Sequence, residues 1–63
     1  MMEKYYAALD KLSPVQRSVI VLRVLGHSVD EIAKMTNSAR STTRLRLYYG
    51  RKAFARALGK ESD

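Results

Sequence analysis

The chain has 63 residues, a formal net charge of +6 and no cysteine, which excludes disulfides and thiolate metal sites. One histidine, His27, cannot build a zinc site without other ligands, and no apolar run approaches the roughly 20 residues that span a bilayer. No arrangement of residues indicates a catalytic site. The first residues do not show the pattern of a signal peptide. We therefore expect one small cytoplasmic domain over residues 1–63, a fragment of a longer protein. We expect it not to be an enzyme and to need no metal, cofactor, small-molecule ligand or membrane.

The positive charge is concentrated in the second half of the chain. Residues 1–35 carry five Lys/Arg and four Asp/Glu, whereas residues 36–63 carry seven Lys/Arg and only two Asp/Glu. A basic half of this kind is typical of a surface that binds phosphates. A solvated basic helix with no partner would have the same composition, so charge alone leaves both interpretations open.

The first two predicted helices span about residues 2–11 and 14–25. In the first, apolar residues recur at helical spacing. The second begins after Ser13, whose side chain can cap the free amides while Gln16 reaches back to close a capping box. Gly26 is suited to end this helix because glycine readily adopts a left-handed conformation.

The third and fourth predicted helices span about residues 29–36 and 40–58. Ser28 and Glu31 form a second potential capping box before the third helix, and Asn37 tolerates the left-handed conformation that a tight turn needs. The sequence thus predicts an all-α fold, a small four-helix domain. Its predicted core includes Val15, Val19, Leu22, Ile32, Met35, Leu47 and Phe54.

The last two helices are arranged as a helix-turn-helix motif over about residues 28–58. In such motifs the second helix enters the major groove of DNA and the first crosses the backbone. Opposite the apolar stripe of the fourth helix lie basic, hydroxyl and aromatic side chains, which can contact phosphates, base edges and methyl groups. The residues that we expect to bind DNA are Arg40, Ser41, Thr42, Arg44, Leu45, Arg46, Tyr48, Tyr49, Arg51 and Lys52. An ordinary helical hairpin with a solvated basic side is the alternative.

These segments resemble the fourth region of bacterial sigma factors, especially the extracytoplasmic-function type. The resemblance covers about residues 7–58. It is carried by Ala8-Leu9, Leu12-Ser13-Pro14, Gln16-Arg17, residues 26–33, residues 42–47 and Arg51-Lys52-Ala53. It implies binding to the minus-35 element of double-stranded promoter DNA, docking on the beta flap of the RNA polymerase core, and in many relatives inhibition by an anti-sigma factor.

A second hypothesis is the helix-turn-helix output domain of a response-regulator or quorum-sensing type transcription factor. Such domains have a similar Leu-Ser-Pro opening and a similar Glu-Ile-Ala helix. The Arg51-Lys52-Ala53-Phe54 continuation and the Ala8-Leu9 segment favour the sigma factor.

A third hypothesis is a sigma-like domain that mainly binds protein and whose DNA binding is reduced. Thr36 and Ser38 stand where the family usually has apolar residues, and Ala39 stands where a capping serine is common. These changes predict a more polar and looser turn. Tyr48-Tyr49 suits a protein partner as well as it suits DNA, because exposed aromatic residues are enriched at protein interfaces.

Overall fold

The structure, a computed structural model, describes residues 2–59, and this part of the chain is all-helical. Its helices are α1 (Met2–Asp10), α2 (Pro14–Val24), α3 (Val29–Met35) and α4 (Arg40–Ala57). Each predicted helix is present, and each ends one residue earlier than predicted. For α2, α3 and α4 that extra residue is the C-cap. Within residues 2–59, no helix is both long enough and apolar enough to cross a membrane.

Two of the helices begin at the predicted capping boxes. Ser13 Oγ accepts the backbone N–H of Gln16 at 3.2 Å, and Gln16 Oε1 accepts that of Ser13 at 3.3 Å. Ser28 and Glu31 repeat the arrangement before α3, at 3.1 and 2.8 Å. At Ala39, by contrast, α4 begins without a side-chain cap. The start of α4 must therefore be held in place by other contacts.

The helices α2 and α3 both end in Schellman motifs, in which a left-handed residue closes the last turn. After α2, Gly26 has φ +103° and its N–H bonds to the Arg23 carbonyl, while the next N–H bonds to that of Leu22. After α3, Asn37 has φ +52°, and its N–H bonds to the Lys34 carbonyl. Both predicted stops are confirmed, and they fix the direction in which the chain leaves each helix.

The core lies where α4 crosses α2 and α3. Five of its buried apolar residues form one cluster, against which Leu22 and Phe54 pack at the edge. The members of that cluster are Leu12, Val19, Ile20, Ile32 and Leu47. At Gly50 a Cβ atom would lie 3.0 Å from Ile20 Cγ1, closer than ordinary van der Waals contact. The absence of a side chain at Gly50 therefore allows α2 and α4 to approach closely.

Two residues of the predicted core are exposed. Val15 is 48% exposed and Met35 is 55% exposed, so their assignment to the core was wrong. Each is at helical spacing from a buried residue but lies roughly a quarter turn from the centre of the buried face. The apolar pattern at helical spacing therefore extends past the buried face of each helix.

An arginine and an aromatic pair attach α1 to the rest of the domain. Arg17 on α2 donates from Nε to the Leu9 carbonyl at 3.0 Å and from Nη2 to the Leu12 carbonyl at 3.2 Å. The ring of Tyr5 stacks on that of Phe54 with centroids 6.3 Å apart. Arg17 thus satisfies carbonyls near the end of α1, a structural role that counting it as a positive charge does not reveal.

Candidate nucleic-acid interface

The contact between α3 and α4 fixes the orientation of the longer helix. Ile32 and Ala33 of α3 are buried against α4. On α4, Thr43 is fully buried, and its hydroxyl is satisfied by donating to the Ala39 carbonyl at 3.0 Å. Because Ala33 is small and the Thr43 hydroxyl is hydrogen-bonded to the Ala39 carbonyl, the two helices pack closely without leaving a buried polar group unpaired.

With that face buried, the opposite face of α4 points to solvent, as the helical spacing predicts. Among the expected DNA-binding residues, all but two are exposed; Thr42 and Arg46 are half-buried. The exposed ones are Arg40, Ser41, Arg44, Leu45, Tyr48, Tyr49, Arg51 and Lys52. The structure thus places these side chains on one accessible surface, which we call the α4 outer face.

The aromatic residues of the α4 outer face form a small cluster with a lysine. Tyr48 and Tyr49 meet edge to face, with centroids 5.1 Å apart and ring planes at 78°. Lys52 Nζ lies 5.0 Å from the centroid of the Tyr48 ring, in cation–π geometry. These contacts hold two aromatic rings, nearly perpendicular to each other, and a positive charge next to one another in solvent.

The arginines of α4 have different environments. Within residues 2–59, Arg44 and Arg51 are exposed and neither pairs with a carboxylate. Arg40 Nε lies 3.0 Å from Asp30 Oδ1, which links the start of α4 to α3. Arg46 Nη1 donates to Ser38 Oγ at 2.6 Å. Arg44 and Arg51 are therefore free to meet an external anion, whereas Arg46 bonds within the protein.

The turn between α3 and α4 is polar, and its hydroxyl groups are all hydrogen-bonded. Thr36 Oγ1 donates to the Ile32 carbonyl at 2.7 Å, and Ser38 Oγ donates to the Thr36 carbonyl at 3.1 Å while accepting from Arg46. The prediction of a looser turn was made without these hydrogen bonds, which connect the turn to Ile32 of α3 and to Arg46 of α4. Sequence reasoning missed the bond between Arg46 and Ser38 because the two residues are eight positions apart across a turn.

The Glu31 carboxylate in the first turn of α3 is also hydrogen-bonded within the protein. Glu31 accepts the backbone N–H of Ser28, and this bond keeps the pKa of the Glu31 carboxyl below its ordinary value of 4.5. The His27 ring, with Nδ1 3.6 Å from Glu31 Oε1, acts in the same direction. Arg23 donates to the His27 carbonyl at 2.9 Å and so fixes the loop that precedes α3. These contacts hold the loop before α3 and the first turn of α3 in place.

Two packed helices joined by a tight turn, the second of them long and basic on its open side, define a helix-turn-helix domain of the kind that binds duplex DNA. The family model described as Sigma-70, region 4 matches residues 2–54, and the chain belongs to this family of non-catalytic, DNA-binding sigma-factor domains. No curated protein and no solved structure gives a significant match to the chain.

Proposed function

We propose that this domain recognises the minus-35 element of promoters as part of a bacterial sigma factor of the extracytoplasmic-function type, which directs RNA polymerase to initiate transcription in the cytoplasm. The observation that carries the proposal is the α4 outer face, a basic and aromatic surface whose orientation is set by burial of the opposite side. Family membership supports the general DNA-binding role. It also favours a sigma factor over a response-regulator output domain.

In this proposal the residues of the α4 outer face make different contacts with DNA according to their position along the helix. The first turns of a recognition helix lie deepest in the major groove, so Arg40, Ser41, Arg44 and Leu45 reach base edges or the phosphates beside them. Arg51 and Lys52, further along α4, neutralise phosphates, which gives affinity without sequence preference. The half-buried Arg46 contributes by holding the turn.

The test is selection from a pool of randomised DNA duplexes by the 63-residue chain at low salt. We expect enrichment of a short motif whose affinity exceeds that for a scrambled duplex. The double variant Arg44→Ala/Arg51→Ala should enrich nothing. The double variant Lys4→Ala/Lys11→Ala is the matched control, because it removes the same charge from exposed positions outside the α4 outer face. If the wild-type chain enriches no motif, the domain serves mainly as a protein-interaction module.

The second partner that we propose is the beta flap of the RNA polymerase core. A groove of mainly apolar lining lies between the ends of α2 and α4 and is bordered by Ile20, Val24, Phe54 and Leu58. Val24 is 81% exposed, so a partner that covers it would remove apolar surface from water. Arg51 of the outer face also lines this groove, so the test uses an uncharged substitution: Val24→Ser should weaken binding of an isolated flap fragment more than it weakens DNA binding. Unchanged flap binding would contradict this placement.

A third proposed partner is an anti-sigma factor that competes with DNA for the cluster of Tyr48, Tyr49 and Lys52. Support comes from exposed aromatic rings beside an apolar side chain, Leu45, on a surface that DNA would also use. Tyr48→Ala should then weaken both complexes, by about 1–3 kcal/mol for the protein complex if the ring is a central anchor. Titrating the DNA complex with an inhibitor encoded beside the gene tests this. A ternary complex with undiminished DNA affinity would contradict it.

A further inference from the structure

We infer that Asp30 is a positioning residue for sequence recognition, because it holds the guanidinium of Arg40 in one orientation at the start of the recognition helix. The inference rests on the proposed DNA-binding function. It concerns discrimination between sequences, whereas the proposed function concerns binding to DNA and to a promoter element in general. Asp30 itself need not touch DNA.

The geometry joins two helices through one charged contact. Asp30 is in the first turn of α3, and Arg40 is the first residue of α4. Their closest atoms, Oδ1 and Nε, are 3.0 Å apart. A guanidinium has four further N–H donors on its two terminal nitrogens, arranged in a rigid fork. An anchor at Nε therefore limits the rotation of the fork while donors remain for a base edge or a phosphate.

The position of the carboxylate also needs an explanation. An acidic side chain beside a DNA-binding surface repels phosphates. The Asp30 side chain is 64% exposed, so its charge acts on phosphates that approach within about a Debye length. Capping of α3 does not require it, because Ser28 and Glu31 already form the complete capping box. Ala39 supplies no side-chain cap for α4. The Asp30 contact is thus one of the few polar ties at the N-terminus of the recognition helix.

Orientation matters because arginine discriminates bases through bidentate contacts. Two parallel N–H bonds to the edge of guanine need a fixed plane for the guanidinium, whereas a phosphate accepts a charge from many directions. Loss of the anchor should therefore reduce affinity for the preferred sequence more than affinity for an unrelated one. Simple charge removal predicts instead tighter binding to all sequences by similar factors, which leaves the discrimination between sequences unchanged.

The experiment measures the dissociation constants of the whole chain for two probes, the duplex that the wild type selects and a scrambled duplex of equal length. For Asp30→Ala, which removes the acceptor of the Arg40 contact, we expect the dissociation constant for the scrambled duplex divided by that for the selected duplex to fall about fivefold or more, the range expected for a bidentate base contact. Asp10→Ala is the matched control, because it makes the same change at an exposed position on α1, and its ratio should equal that of the wild type. A reduced folded fraction would weaken both complexes alike and leave the ratio unchanged.

The double variant Asp30→Ala/Arg40→Ala decides whether Asp30 acts through Arg40. If it does, Asp30→Ala changes the ratio in the wild-type background and has no further effect once Arg40 is alanine. A wild-type chain that discriminates between the probes while Asp30→Ala keeps its full ratio would overturn this inference and leave the proposed function standing. So would equal effects of Asp30→Ala in both backgrounds. A wild-type chain that binds neither probe would overturn both proposals.

Discussion

The two sides of α4 are held by different physical interactions. Towards α1 and α2 the contacts are mainly apolar, with Gly50 close against Ile20, and Leu47 lies in the core cluster, which also contains Ile32 of α3. Towards α3 and the turn, charged and hydroxyl groups add directional bonds, including those of Arg40 and Arg46. Apolar burial supplies most of the stability of a small domain, whereas directional bonds fix where a surface points. We expect substitutions on the two sides to separate stability from recognition.

The largest effect on stability should come from the apolar side. Leu47 is 3% exposed, and Leu47→Ala should lower the free energy of unfolding by about 2–5 kcal/mol, through lost burial and a residual cavity. Such a loss is comparable to the whole stability expected of a domain this small. Chemical denaturation followed by circular dichroism measures it. A change below about 0.5 kcal/mol, the size typical of a surface substitution, would remove Leu47 from the core and contradict the helical register.

A smaller effect is expected on the polar side, at the turn. Ser38→Ala removes the acceptor of the Arg46 bond and the donor to the Thr36 carbonyl, and we expect it to cost about 1–2 kcal/mol, the size of two partly exposed hydrogen bonds. Ser18→Ala is the matched control, because the Ser18 hydroxyl donates only to the Pro14 carbonyl within its own helix. The same denaturation assay compares them. Equal losses for the two variants would mean that the turn bonds contribute nothing specific.

The smallest effect concerns the pH dependence of the cap on α3. The pKa of Glu31 is lower in the folded protein than its ordinary value of 4.5. Its ionised form therefore stabilises the fold above that value, and this contribution is lost as the pH falls through the lower, folded-state pKa. Glu31→Gln should flatten this part of the curve of unfolding free energy against pH. Superimposable curves for the variant and the wild type below pH 4.5 would exclude the proposed contribution.

How much the sequence predicts also differs between the two sides. Capping boxes, left-handed stops and apolar spacing are local patterns, and they predicted the four helices and the inward direction of Ile32 and Leu47. The same spacing failed at Val15 and Met35, because a helical wheel gives a direction but not whether a neighbour lies there. It predicted which α4 residues face solvent, except for Thr42 and Arg46, which are half-buried.

The polar contacts that hold α4 against α3 and against the turn before it were not predicted from the sequence. Asp30 and Arg40 are ten residues apart, and Ser38 and Arg46 are eight apart. At such separations across a turn, side chains meet only if the crossing angle of the helices brings them together, and no local pattern encodes that angle. The DNA-binding roles of the residues on the α4 outer face stay a prediction.

The salt dependence of DNA binding tests the central claim most directly. The logarithm of the association constant of the chain for duplex DNA should fall linearly and steeply with the logarithm of salt concentration, because each Lys or Arg that neutralises a phosphate releases a counterion. Arg44→Ala and Arg51→Ala should each make that slope shallower by about one unit, whereas Lys11→Ala, outside the outer face, should leave it unchanged. Equal slopes for all three variants and the wild type, or no binding at low salt, would contradict DNA binding through the α4 outer face.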